Sequence, residues 1–332
     1  MKNRIPNFFI ALGLCALVAL FVFFKYDGMN DEHFELEFKN NYSIFSLNLP
    51  DTATFAGEII PIEDPEIYER FDRELLVNTY WQSSTLLYFK RSHRYFPIIE
   101  PILQKHGVPD DFKYLALVES GLTNVVSGAG AVGFWQILES TAKLYGLEVS
   151  KEVDERYHLE KSTEAACLYL KEAYRKFGSW TLAAASYNMG MGGINKQLER
   201  QQGSSYFDLK LNHETARYVF RMAAVKQILE NPNKYGFNFR EKDLYNTIPT
   251  RSVLIDSAIT DLGLFAKSEN INYRILKYHN PWLRYHYLPK KGDEVYEIKI
   301  PLKGHYHLSE TAKVLAPADS STKKPASVKA GE

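Results

Sequence analysis

Between Asp64 and about Pro232 the apolar residues recur three and four positions apart, in Tyr68 to Leu76, Thr85 to Phe89, Ile98 to Leu103, Phe112 to Val118, Glu164 to Phe177 and Thr215 to Leu229. That period lines apolar side chains along one stripe of a helix. Stop signals fall where helices need them: Gly107-Val108-Pro109 ahead of one, Gly121 and Gly178 behind two others, Asn231-Pro232 after the last. Strand-like alternation is hard to find in this stretch, so it predicts an all-helical domain. After Thr247 the pattern changes. Val253-Leu254-Ile255, Val295 to Ile298 and Ile300 read as short strands around a helical stretch near Leu262 to Leu276, a small α+β module.

The amino-terminal pattern is different again. No charge occurs from Ile5 to Phe24, and a helix of about 20 residues, rising about 1.5 Å per residue, spans a bilayer's hydrocarbon core. Lys2 and Arg4 before the run, with Asp27, Asp31 and Glu32 after it, set the short end in the cytoplasm and the rest outside. No small-x-small site follows, which favours an uncleaved anchor over a removed signal. Cys15 follows Leu12-Gly13-Leu14, a bulky residue where a lipoprotein site wants a small one, and reads as an inert apolar residue. The expected organisation is a signal anchor at 1–26, an extracytoplasmic tether with short extended pieces at 27–63, a helical domain at 64–235, the α+β module at 236–312 and a disordered tail at 313–332. The protein would face the periplasm or cell envelope from its membrane anchor.

Composition narrows the function. The 332 residues are 45% hydrophobic, enough for a core in about two domains. Forty Lys and Arg balance forty Asp and Glu, so net charge gives no pull toward nucleic acid. Two cysteines, Cys15 and Cys167, make no disulfide framework. The nine histidines are scattered, with no H-E-x-x-H, and His305-x-His307 reads as two exposed positions on one face of a strand. Neither metal nor cofactor is expected.

The candidate chemistry begins at Pro109. On a helix starting near Asp110, Phe112, Leu115, Ala116 and Glu119 share one stripe, and Glu119 falls in the last turn before Gly121. Desolvation and the negative end of the helix dipole both raise a carboxyl pKa, as a general acid requires. Position alone leaves two other readings, a Glu pointing past the stripe into solvent or one satisfied by a neighbour. Next comes Ser127-Gly-Ala-Gly-Ala-Val-Gly133, then Phe134-Trp135-Gln136 and a helix through Tyr145. Gly128, Gly130 and Gly133, with Asp154 further on, satisfy a dinucleotide-binding spacing, but helices rather than strands surround it. The better reading is a backbone passing close to a ligand, with Trp135 as a stacking face and Gln136 as a two-way amide, tools suited to a sugar. A third cluster, Ala184 to Gly193, places Tyr187 and Asn188 at a helix end; a plain helix cap beside a packed aromatic is its competing reading.

In order, Glu119-Ser120, Gly133-Phe-Trp-Gln136, Ser186-Tyr187-Asn188 and Glu214-Thr-x-x-Tyr218-Val219 resemble the motif set of soluble-lytic-transglycosylase-like murein enzymes, nearest the membrane-bound lytic murein transglycosylase D group. The family's usual Gly-Leu-Met-Gln is Gly-Phe-Trp-Gln here, and its Ala-Tyr-Asn is Ser-Tyr-Asn. The resemblance implies a mainly α, goose-lysozyme-like catalytic domain acting on peptidoglycan glycan strands without a cofactor. It makes Glu119 the single catalytic acid and base in forming a 1,6-anhydromuramyl product. It makes Ser120, Gln136, Tyr187, Asn188 and Tyr218 substrate-binding, with Tyr187 expected to hydrogen-bond Glu119 and Glu214 in a supporting place. The sequence has no Asp or Glu between Glu119 and Glu139 to supply an adjacent second carboxylate. Asp261 to Ala266, Ile271-x-Tyr273, Asn280-Pro-Trp-Leu283 and Tyr296 to Pro301 resemble a degenerate LysM repeat, which implies glycan binding or an accessory packing role. A hydrolytic muramidase of the same fold and a non-catalytic wall-binding scaffold stay open as alternatives.

Overall fold

The computed structural model describes residues 31–41 and 44–308. The expected anchor and tail lie outside the described residues. Among the described residues no helix is long and apolar enough to cross a membrane. The chain is mainly helical and divides into two compact units. The first takes the described residues up to Leu122 together with Leu170–Tyr245; the second takes Thr123–Tyr169 together with those from Asn246 onward. These units cut across the expected division at residue 235.

In the first unit, helix α1 (Asp31–Asn41) occupies part of the expected tether, with Glu35 and Lys39 paired one turn apart. A hairpin of β1 (Ala53–Phe55) and β2 (Glu58–Ile60) follows, in the register Ala53 to Ile60. Its turn residues Ala56 and Gly57 both have positive φ, 53° and 81°, as a two-residue hairpin loop requires. Phe55 and Ile60 are fully buried, so this part of the expected tether is core. Strands of three residues are too short for their alternation to stand out in the sequence.

Helix α2 (Pro65–Tyr80) starts on Asp64, whose carboxylate accepts the Glu66 and Ile67 N–H groups. Helix α3 (Gln82–His106) ends on left-handed Gly107. After a 3-10 turn at Asp110–Phe112 comes the short α4 (Lys113–Ser120), closed by left-handed Gly121. Helix α6 (Leu159–Phe177) follows α5 (Glu139–Leu144) of the second unit. Glu58 caps α7 (Trp180–Met189), accepting Ser179 Oγ at 2.9 Å, Thr181 Oγ1 at 2.6 Å and Thr181 N at 3.0 Å. After α8 (Met191–Gln201), helix α9 (His213–Glu230) starts with Asn212 accepting the Thr215 N–H. Fully buried Glu74 pairs with Arg73 and with Arg217 Nε, each at 2.6 Å, tying α2 to α9.

The second unit has the α+β module as predicted in outline. Strand β3 (Thr250–Ile255), α10 (Leu262–Ser268), α11 (Tyr273–His279) and β4 (Tyr296–Pro301) follow in order, with β3 and β4 antiparallel and Val253 opposite Ile298. Its core is not its own. Leu262, Leu276, Trp282, Leu283, Leu288 and Ile298 pack in one cluster with Val132, Val153 and Tyr157. His305 and His307 are exposed but lie beyond the end of β4, not on a strand.

The glycine loop is folded on itself by the bridges Val126 to Val132 and Val132 to Ile137. Gly133 has φ 81°, and a Cβ there would sit 2.1 Å from Arg156 O. The close approach that glycine permits is therefore to Arg156. Trp135 is fully buried and its Nε1 donates to Thr163 Oγ1 at 2.8 Å, so it offers no stacking face; its sequence neighbours gave no sign that it faces inward. The helix expected to run from there through Tyr145 is confined to Glu139–Leu144. We expect Gly133→Ala to lower stability by at least about 2 kcal/mol in denaturant unfolding, from positive φ and the clash together. At Gly128 an added Cβ meets nothing within 4 Å, and Gly128→Ala should stay within about 0.5 kcal/mol of the native protein.

Candidate active site

Helix α4 is eight residues long and most of it is inside: Tyr114, Leu115, Ala116, Leu117 and Val118 are all buried. Glu119 follows that apolar run in the last turn, where carbonyls without helical partners concentrate negative potential. The helix end is held by Arg91, whose Nη1 donates to Gly121 O at 2.9 Å. From α9 the buried Tyr218 hydroxyl donates to Glu119 Oε1. Burial pushes the Glu119 carboxyl up to about 7, with the Glu214 charge adding to the rise. The Tyr218 hydrogen bond and the Arg221 charge pull the other way. Burial first, then the Glu119 charge, raises the Tyr218 phenol well above its usual 10, keeping it a neutral donor at physiological pH.

The Tyr218 phenol is thus bonded to Glu119, a part the family resemblance had given to Tyr187. Tyr187 is partly buried and close enough to Tyr218 to add to the rise in its pKa. Asn188 bonds to the first turn of α9: its Oδ1 accepts Thr215 Oγ1 at 2.6 Å and its Nδ2 donates to Glu214 Oε1 at 3.2 Å. The Ser120 hydroxyl donates back to Ala116 O on its own helix at 3.1 Å. Glu119, Tyr218, Tyr187, Asn188 and Glu214 therefore form one neighbourhood within the first unit. Gln136 belongs to the second unit, with φ 48° and its Nε2 donating to Gly133 O at 2.8 Å and Val125 O at 3.0 Å.

Sequence reasoning passed over Arg221. Its signal was the spacing on α9, where Glu214, Tyr218 and Arg221 lie four and three apart and so share a face. A groove of about 640 Å³ elsewhere on the first unit, lined by Ile59, Pro61, Asp64 and Phe207 among others, touches none of the candidate residues. Among the described residues no group of three or more His, Cys, Asp or Glu side chains is disposed to hold a metal ion.

With this geometry in hand, comparison with known proteins gives two family matches. Residues 96–209 match the Transglycosylase SLT domain and residues 251–304 match the Soluble lytic transglycosylase C-terminal LysM-like domain. The chain carries a transglycosylase SLT domain. Over 202 residues it is 32% identical to Membrane-bound lytic murein transglycosylase D of Escherichia coli strain K12, covering 58% of this chain and 44% of that protein. The same figures hold for the protein of that name from E. coli O6:H1. The chain thus spans less than half the length of these curated relatives. A solved structure of an inactive mutant of Lytic Transglycosylase Slt from Pseudomonas aeruginosa is 17% identical, with TM-score 0.35, covering 46% of this chain and 26% of that one. The SLT match includes Glu119, Ser120, Gln136, Tyr187 and Asn188, whereas Glu214 and Tyr218 lie beyond its end at residue 209.

The raised Glu119 pKa has a stability consequence. Below pH 4.5, the ordinary value, folded and unfolded chains both hold the proton; between 4.5 and about 7 only the folded chain does. Stability therefore falls as pH rises through that window and is level above it. Comparing urea unfolding of the native protein and Glu119→Gln, the variant should gain about 3 kcal/mol relative to the native protein between pH 4.5 and 7.5. A difference that does not move with pH would mean an ordinary, solvated carboxyl.

Proposed function

We propose that the protein is a lytic murein transglycosylase that cleaves the β-1,4 bond between N-acetylmuramic acid and N-acetylglucosamine in peptidoglycan. The observation that carries this reading is the partly buried Glu119, held by Tyr218 and brought to a pKa of about 7. Such a group is protonated in a useful fraction near neutrality and still basic enough to take a proton back.

In the proposed step Glu119 gives its proton to the glycosidic oxygen as the bond to the muramyl anomeric carbon breaks. The carboxylate left behind then accepts the proton of the muramyl 6-hydroxyl, whose oxygen bonds to that carbon and closes the 1,6-anhydro ring. Glu119 ends protonated and no water is consumed. Because Tyr218 occupies Oε1, Oε2 is the oxygen available to carry the travelling proton. The Tyr218 bond also stabilises the carboxylate formed midway. Ser120, Gln136, Tyr187 and Asn188 would bind the saccharide, in a goose-lysozyme-like helical domain. The LysM-like domain supports a peptidoglycan substrate. Anchoring by the 1–26 segment and a position facing the periplasm complete the reading.

Mass spectrometry of murein digested by the protein tests it: anhydromuramyl products are expected. Reducing muramic acid alone would mean hydrolysis, and binding without any cleavage by native protein or Glu119→Gln would mean a scaffold. Because the acid form starts the reaction, kcat/KM should fall as pH rises, with an apparent pKa near 7. Tyr218→Phe removes an interaction that lowers the Glu119 pKa, so its descending limb should move to higher pH while the rate below the limb drops roughly tenfold or more. An unmoved limb would detach Tyr218 from the titrating group.

A further inference from the structure

Arg156 and Asp154 stand between the glycine loop and the carboxyl module, all within the second unit. Both are buried, each 7% exposed. Their side chains meet at two points, Arg156 Nε to Asp154 Oδ1 at 2.9 Å and Nη2 to Oδ2 at 2.8 Å. The remaining nitrogen, Nη1, donates to Gly130 O at 3.2 Å and Ile137 O at 3.4 Å. Those two carbonyls bracket the segment containing Gly133 and Gln136, and the backbone oxygen of Arg156 fills the space beside Gly133.

On its other side the Arg156 segment is bonded to the module. Asp154 N donates to Trp282 O at 2.9 Å and Arg284 N to Glu152 O at 2.7 Å. Val153 pairs with Leu283 across a bridge, and the Arg284 guanidinium lies 4.0 Å from the centre of the Tyr157 ring. Asp154 thus turns its backbone to the module and its carboxylate to the arginine that grips the loop.

The loop has a part to hold in place. Both described hydrogen bonds of Gln136 Nε2 go to backbone carbonyls, which turns the side-chain carbonyl oxygen into a fixed acceptor for a sugar hydroxyl or amide N–H. A guanidinium suits this clamp because its planar fork binds a carboxylate at two points and still has donors left; a lysine has one ammonium and cannot span the same acceptors.

We propose that Arg156 is a positioning residue for the Gly130–Ile137 loop, and that the carboxyl module acts on the reaction by holding this arginine through Asp154. The proposal rests on the reading of Gln136 as a saccharide contact. It assigns the module a buttressing role within the SLT domain, separate from any glycan binding of its own.

The test uses the full chain. In Arg156→Lys the amides of Val132 and Ile137, bonded to each other inside the loop, and of Gly133, bonded to Val125 O, should exchange with deuterium at least tenfold faster, with those of α9 unchanged. The kcat on murein should fall roughly tenfold, with the descending pH limb unmoved. In a Gln136→Ala background the same substitution should cause no further loss. Arg284→Ala should speed exchange of the same loop amides. Unchanged loop exchange in Arg156→Lys, or losses that multiply in the double variant, would overturn the positioning role. Unchanged exchange in Arg284→Ala would overturn the module's share in it. Should Arg156→Lys fail to fold, Asp154→Asn reads the same amides with the same expected and overturning results. If the native protein yields no anhydromuramyl product, the reaction reading is what fails, and the exchange measurements still decide the clamp.

Discussion

The site depends on keeping one carboxyl group away from water without leaving it unsatisfied. A buried carboxylate with no partner would be neutral at every physiological pH, and a well-solvated one would be ionised at most of them. Glu119 sits between these limits because opposing influences act on it. Burial and the charge of Glu214 favour the proton; the Tyr218 phenol and the Arg221 charge favour its loss. Tyr218 can play that part because its own burial holds its proton on, so it always donates and never competes as an anion. Its position follows from α9, whose buried face carries Tyr218, Val219, Met222 and Val225.

Most of this was legible where a local rule governs. The helical period and the glycine stops at Gly107 and Gly121 are short-range facts, and the structure repeats them. What was illegible depends on partners far away in the chain. Nothing near Tyr218 in the sequence reveals that its phenol reaches Glu119, because that is decided by how α9 packs. Trp135 shows the same limit from the other side. Beside a polar Gln and a run of glycines it looks available to a ligand, yet Thr163, in the next helix but one, satisfies its indole N–H and lets it be buried.

Glycine spacing misled in an instructive way. Gly133 does serve a close backbone approach, but the approaching group is the carbonyl of Arg156, and Asp154, which fell where a nucleotide-binding acid would, is the partner of that arginine. The residue types demanded by a phosphate loop and by a tightly folded loop are the same, since both need positive φ and no side chain. Only the surrounding elements distinguish them, and here those were helices.

The boundaries of similarity and of packing also differ, for a physical reason. Family resemblance follows contiguous sequence, whereas a core needs whichever segments close it. The SLT match stops at residue 209, before the α9 residues that supply the phenol, and starts after Glu58 and Glu74. Glu58 caps the helix bearing Tyr187 and Asn188, and Glu74 holds α9 through Arg217. Each is a carboxylate from outside the matched stretch that fixes an element presenting a candidate residue. The LysM-like domain extends the argument: with Val153 and Tyr157 inside its core, cutting the chain at residue 235 would expose apolar surface on both pieces. A module that was merely tethered to its neighbour would need no such shared core, so the packing itself favours a structural part for it in the folded protein.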